Sequence, residues 1–136
     1  MQITLLIVDD DPDDLWLFCE AVYEINKASR CITACNGKEA LQLLQNAIIK
    51  PDFIFMDLNL PFMNGKECLT ELKKNSEFSD IPVIIYSTSK LQKDIDEVYK
   101  LGAAHFLSKP NSFRDIVKVV SNIVTGKLEE MEESSN

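Results

Sequence analysis

The sequence predicts an α/β fold, a three-layer α/β/α sandwich with a five-stranded parallel sheet and five helices packed on its two faces. Three observations predict it. Short apolar runs rich in β-branched residues, such as Ile3–Val8 and Pro82–Tyr86, read as strands covered on both sides. Longer segments between them carry apolar residues at helical spacing. The two kinds alternate along the chain with no repeat or linker, and such alternation closes into a parallel sheet through right-handed crossovers.

Ile3–Val8 is the first strand, and it ends in Asp9-Asp10-Asp11-Pro12-Asp13-Asp14. Asp11 before Pro12 suits a helix N-cap with proline at the first helical position, and Asp13 and Asp14 suit the positive end of the helix dipole. Leu15, Phe18, Cys19, Val22 and Ile25 give the first helix its apolar face, to about Lys27. Cys31–Cys35 reads as the second strand. Asn36-Gly-Lys-Glu39 resembles a capping box for a second helix with Leu41, Leu44, Ala47 and Ile48 on its apolar side. Pro51 stops that helix, and the third strand runs from Asp52 to Asp57. A third helix over about Gly65–Asn75 carries Cys68, Leu69 and Leu72.

Strand four, Pro82–Tyr86, is followed at once by Ser87-Thr88-Ser89. The fourth helix, about Leu91–Leu101, has Leu91, Ile95 and Val98 on one side and Gly102 as its terminator. Ala104–Leu107 is the fifth strand, closed by Ser108-Lys109-Pro110. Ser112-Phe-Arg-Asp115 caps a fifth helix whose face is Phe113, Ile116, Val117, Val120, Ile123 and Val124. The domain is expected to span residues 1–127. The acidic tail, residues 128–136 with Glu129, Glu130, Glu132 and Glu133, has too little apolar surface to pack and is expected to be disordered.

Composition narrows the function. At 136 residues, with 46% hydrophobic and 26% charged residues, the chain has the size and balance of one globular domain. A net charge of −8 argues against non-specific DNA binding, because phosphates attract basic surfaces. No apolar run approaches the roughly 20 residues of a membrane helix, and no signal peptide is visible, so the expected compartment is the cytoplasm. Cys19, Cys31, Cys35 and Cys68 lack the tight spacing of a zinc site and read as small buried hydrophobes.

The chemistry gathers where strands end. In Lys50–Gly65 an apolar run, Phe53–Met56, stops abruptly on Asp57, and a Pro/Asn/Gly loop follows. In an open parallel sheet that C-terminal rim is where ligands bind. The first strand delivers Asp9 and Asp10 to the same rim, the third Asp57, the fourth Ser87 and Thr88, and the fifth Lys109. Carboxylates brought together repel unless a cation sits among them, and an all-oxygen set suits Mg²⁺. The arrangement fits an aspartate that accepts a phosphoryl group. Capping and solvation account for Asp11, Asp13 and Asp14 but poorly for two acids abutting a buried strand.

Val8-Asp9-Asp10, Met56-Asp57-Leu-Asn59-Leu-Pro61 with Gly65, Ser87-Thr88 and Lys109-Pro110 stand in the order and spacing of a response-regulator receiver domain. Over residues 3–125 the chain resembles that family, which has the CheY-like, flavodoxin-like doubly wound fold with strand order 2-1-3-4-5. The resemblance implies that Asp57 is the phosphoacceptor and Asp10 a direct Mg²⁺ ligand. It implies a water-mediated role for Asp9 and a ligand in the main-chain carbonyl of Asn59. Lys109 would pair with Asp57 and later with its phosphoryl group, across a cis Lys109–Pro110 bond. Ser87 and Phe106 stand at the switch positions, Phe106 without the phenolic hydroxyl of a tyrosine. Thr88 is bulkier than the small residue often found there, which implies slow autodephosphorylation.

The function so implied is a two-component phosphorelay switch. A sensor histidine kinase or phosphotransfer protein would donate to Asp57, and the face of helix 4, strand 5 and helix 5 would change its affinity for a downstream protein. No DNA-binding output domain, nucleic acid or membrane enters this reading; a homodimer through the helix 4–helix 5 face stays open. Enzymatic turnover is not expected beyond self-catalysed phosphoryl transfer. A phosphatase would want a second acid where Asn59 stands, and a flavin binder would want a glycine-rich loop where the acidic loop stands.

Overall fold

The computed structural model of the chain describes residues 2–46 and 50–134, and from residue 126 onward the backbone alone. Five strands form one sheet: β1 (Thr4–Val8), β2 (Arg30–Ala34), β3 (Phe53–Met56), β4 (Val83–Ser87) and β5 (His105–Ser108). All pairings are parallel, in the order β2-β1-β3-β4-β5. Between and after them run α1 (Pro12–Ile25), α2 (Gly37–Asn46), α3 (Gly65–Lys74), α4 (Gln92–Lys100) and α5 (Phe113–Ser134).

Strand residues alternate between two apolar layers, as the twofold period of a strand requires. Leu5, Ile7, Phe53, Phe55, Ile84 and Tyr86 meet Leu15, Phe18 and Val22 of α1 and Ile116, Val120 and Val124 of α5. Leu6, Val8, Ile54, Met56 and Ile85 face the other way, toward Leu44, Leu69, Leu72 and Val98. Phe18 anchors the first layer, its ring 4.8 Å from Phe55 and 5.6 Å from Tyr86. A sheet covered on both faces has its strands fixed in register, which is what makes their ends usable as a platform.

The helix starts follow the local chemistry. Asp11 accepts from the Asp13 N–H at 2.9 Å, with Pro12 opening α1. Asn64 and Glu67 form a reciprocal capping box on α3. Asn36 accepts from the Glu39 N–H, but the Glu39 carboxylate accepts from Cys35 rather than from Asn36, so the box at α2 is shifted by one residue. Ser112 accepts from the Asp115 N–H ahead of α5. Gly102 ends α4 at φ +106°, in the region glycine enters without penalty.

Two expectations change, for the Lys109–Pro110 bond and for the cysteines. The Lys109–Pro110 bond is trans. The tertiary amide of an X–Pro bond separates the two forms by only about 0.5–1 kcal/mol, so proline alone does not select one. Helical backbone in α5 runs to Ser134, past the point where apolar periodicity ends. Leu, Glu, Met and Lys, which make up much of that stretch, are good helix formers. Only Cys68 among the four cysteines is buried; Cys19 and Cys31 are half-buried and Cys35 is exposed. Ala47 and Ile48, expected on the second helix, and residues 135–136 of the acidic tail lie outside the described residues.

Candidate functional site

The sheet register sets the site. Val8 pairs with Met56, and the next residues on each strand are Asp9 and Asp57. The Asp9 N–H donates to the Ala34 carbonyl and the Asp57 N–H to the Val8 carbonyl, each at 3.0 Å, so both acids begin on backbone that the sheet still holds. Ser87 pairs with Ser108, and the Lys109 N–H donates to the Ser87 carbonyl at 2.9 Å. Strand ends β1, β3, β4 and β5 thereby present their first off-strand residues on one rim.

At its centre is the Lys109 ammonium. It donates to Asp9 Oδ2 at 2.6 Å, Asp57 Oδ2 at 2.9 Å and Asp14 Oδ2 at 2.9 Å. An ammonium has three donors, and all three are taken. The second oxygens are held by backbone: Asp9 Oδ1 accepts from the Asp11 N–H at 3.0 Å and Asp57 Oδ1 from the Asn59 N–H at 3.2 Å. The Tyr86 ring lies beneath Lys109, its centroid 5.9 Å from Nζ.

Burial makes these charges consequential. Asp9 is 1% exposed and Asp57 8%. Desolvation raises the Asp9 carboxyl above its ordinary range, and the Lys109 hydrogen bond only partly offsets it. Burial alone would lower Lys109, but the hydrogen bonds it donates to Asp57, Asp9 and Asp14 overrule this and hold the ammonium above the usual lysine range. Lys109 is therefore charged, and its ammonium offsets only part of the cost of burying Asp9.

Asp9, Asp10 and Asp57 form a candidate cation seat. One carboxylate oxygen from each lies within 4.8 Å of the others, with Asp10 exposed to solvent. Three hard oxygens with an open, wet side fit Mg²⁺ or Mn²⁺ and not a soft metal. Asn59, whose main-chain carbonyl was expected as a further ligand, sits exposed in the same turn.

The remaining expected residues have definite places. Ser87 is fully buried, and its Oγ accepts from the Ser89 N–H at 3.3 Å; Thr88 next to it is exposed. Phe106 is half-buried on β5, and its N–H donates to the Tyr99 hydroxyl of α4 at 3.0 Å. Ser89 donates to Asp94 at 2.9 Å, and Asp94 joins Glu97 in binding Lys66 of α3, each at 2.8 Å. The hydroxyl loop is thus tied to α4, which is tied to α3.

Two residues escaped the sequence reading of the site. Asp14 looked like a helix-dipole acid, yet it is the third partner of Lys109. Gly65 was noted only as part of the motif, yet a Cβ there would stand 2.5 Å from the Asp57 carbonyl oxygen and 2.8 Å from Leu58 Cα. Only a glycine lets α3 start against the strand end that carries the central acid.

Known proteins share this fold. The response regulator receiver domain family matches residues 5–121. The response regulator Rcp1 of Synechocystis sp. is 31% identical over 130 residues, covering 92% of this chain and 88% of that protein. SaeR of Staphylococcus aureus is 34% identical over 125 residues, but these are 90% of this chain and 51% of SaeR, so the chain spans about half of that relative. Among solved structures, the phosphorylated cyanobacterial phytochrome response regulator RcpA superposes with a TM-score of 0.83 at 29% identity, covering 90% of this chain and 91% of that one. The Mn²⁺-bound form of Rcp1 gives 0.79 at 30% identity, covering 89% and 91%.

Proposed function

The chain belongs to the response regulator receiver domain family, and from that footing we propose that it is a switch of two-component signalling whose phosphoacceptor is Asp57. The observation that carries the reading is the Lys109 ammonium clasped by Asp57, Asp9 and Asp14 on the C-terminal rim of the sheet. An acid held at a lysine, beside acids that fit a hard cation, is equipped to take a phosphoryl group and little else.

A carboxylate oxygen of Asp57 attacks the phosphorus of a phosphohistidine on a sensor kinase or phosphotransfer protein. The O–P bond forms, the P–N bond breaks, and the histidine leaves as imidazole. Lys109 then faces the phosphoryl oxygens, an electrostatic contribution greatest in the partly desolvated site. Asp9, Asp10 and Asp57, with the Asn59 carbonyl, are the residues that would hold Mg²⁺, which when bound supplies positive charge against the transferred group. Asn59 is neutral and cannot shuttle a proton, which fits slow, self-catalysed release of phosphate.

The output runs through Ser87 and Phe106. A phosphoryl group on Asp57 draws the Ser87 hydroxyl toward it, Phe106 packs inward, and the face of α4, β5 and α5 shifts its affinity for a downstream protein in the cytoplasm. Acetyl phosphate with Mg²⁺ tests the acceptor: intact mass should rise by one phosphoryl group, and Asp57→Asn should not gain it. A gain that persists in Asp57→Asn, or none in the wild type, overturns the assignment.

A further inference from the structure

Two cysteines outside the acidic cluster are in contact. Cys19 lies in the middle of α1 and Cys31 on β2, twelve residues apart in sequence, and their sulfurs are 2.7 Å apart. The fold sets this closeness. Cys31 pairs in register with Leu5 on β1, and α1 is seated over the same layer by Leu15, Phe18 and Val22. Both cysteines pack at the margin of that layer and are half-buried, so small reagents can reach them.

The other two cysteines lack this combination. Cys68 is fully buried, and burial pushes its thiol up to about 12, which leaves it inert. Cys35 is exposed, beyond the end of β2.

We propose that Cys19 and Cys31 are a site of reversible oxidation that closes an intramolecular disulfide when a peroxide reaches the pair. The sulfurs stand a little beyond the ~2.05 Å of a bond, on elements whose backbones the core already holds. Cys19, the less deeply buried of the two, is the nucleophile and Cys31 the resolving partner.

The chemistry balances in two steps. The Cys19 thiolate attacks one peroxide oxygen, the O–O bond breaks, and the departing oxygen leaves as water, giving a sulfenic acid. The Cys31 sulfur then attacks the Cys19 sulfur, loses its proton, and displaces the hydroxyl as a second water. Two thiols are oxidised by two electrons, and one hydrogen peroxide is reduced to two waters. A dithiol reverses the bond by exchange, as a reducing compartment would.

The bond would fasten α1 to the edge strand. Closing a loop of this size raises the thermal midpoint by roughly 5–10 °C. The test uses the full chain carrying Cys35→Ser, which removes the exposed thiol as a partner between molecules. After stoichiometric hydrogen peroxide and alkylation of residual thiols, a non-reducing digest should yield a Cys19–Cys31 cross-linked peptide two hydrogens lighter than its parts. Dithiothreitol should abolish it and return the midpoint. With Cys31→Ser added, oxidation should stop at a Cys19 sulfenic acid captured by dimedone, with no rise in midpoint. Full alkylation of both cysteines after peroxide, or cross-links only between chains, overturns the site. A cross-link that leaves the midpoint unmoved overturns the clamp.

Discussion

Gly65→Ala asks whether the acceptor acid is positioned by the helix behind it. Gly65 opens α3, and its N–H donates to the Leu58 carbonyl at 2.9 Å. An added Cβ would stand 2.5 Å from the Asp57 oxygen, 2.8 Å from Leu58 Cα and 3.2 Å from the Asp57 carbonyl carbon. Non-bonded carbons rest at about 3.5–4.0 Å, and all three neighbours are backbone, so no side chain can swing aside. Either α3 retreats or the Asp57–Leu58 peptide moves, by about 1 Å. Alanine in a helix gains about 0.8–1.0 kcal/mol over glycine, while overpacking costs about 1–3 kcal/mol. The net loss is at most about 2 kcal/mol, which leaves a domain of ordinary stability folded.

The effect on phosphoryl acceptance should be larger. A reacting group misplaced by about 1 Å can lose about 100-fold in rate, so acetyl phosphate should label Gly65→Ala about 10- to 100-fold more slowly in an intact-mass time course. Gly102→Ala is the control. Its φ of +106° penalises a Cβ by about 1–2 kcal/mol, but Gly102 ends α4 against Lys73, on the far end of the helix from the hydroxyl loop. Urea melts should show similar losses for both variants, with labelling slowed in Gly65→Ala alone. Wild-type labelling of Gly65→Ala would refute the claim that this contact fixes Asp57.

Lys109→Ala should lower stability by about 2–4 kcal/mol in metal-free buffer at neutral pH, because Asp9 and Asp57 are left buried without their ammonium; an unchanged urea midpoint would sink this. Asp9 gives a pH signature. Its folded carboxyl is raised by burial, so its contribution to stability is complete below the unfolded value near 3.8 and is lost as pH rises through the folded value. In EDTA, Asp9→Asn should therefore compare best with wild type at neutral pH and progressively worse as the medium is acidified; a difference independent of pH would argue that Asp9 does not titrate this way. Thr88 is exposed beside the buried Ser87. If its bulk hinders water, Thr88→Ala should release phosphate about three- to tenfold faster, up to ~1.4 kcal/mol of barrier, and an unchanged release rate rules the hindrance out.

Residues at strand ends were legible in the sequence because two simple rules converge there. An apolar run must be a covered strand, and a polar or charged residue just past its end must lie on the rim. Asp9, Asp57, Ser87 and Lys109 all obey both rules, so topology alone placed them together. Helix starts were legible for a similar reason, since Asp11, Asn36 and Ser112 each cap through their own side chain. What was illegible depends on distances between elements rather than on pattern within one. The Cys19–Cys31 contact joins a helix to an edge strand, and no periodicity reports how closely one lies over the other. Gly65 reads as an ordinary loop-to-helix glycine until the Asp57 carbonyl is seen against it. The geometry of Lys109–Pro110 is decided by a difference too small for sequence to reveal.

Asp14 shows most clearly why one role was hidden. Asp13 and Asp14 are equivalent by composition, both acids in the first turn of α1, and the helix dipole accounts for either. Only the rotation of α1 about its axis turns Asp14 toward Lys109 and leaves Asp13 exposed. The demand, however, comes from the lysine. An ammonium that is nearly buried must fill three donors, and the sheet supplies two acids to it, Asp9 and Asp57. The third must come from an element that crosses the rim, and α1 starts there. Asp14 is also the most exposed of the three, with a side chain 36% accessible against 2% and 11% for Asp9 and Asp57. Water can therefore take its place at least cost, whereas either buried acid would be stranded without its lysine. The clasp is two fixed grips and one that can open, and the one that can open lies on a helix rather than on the sheet.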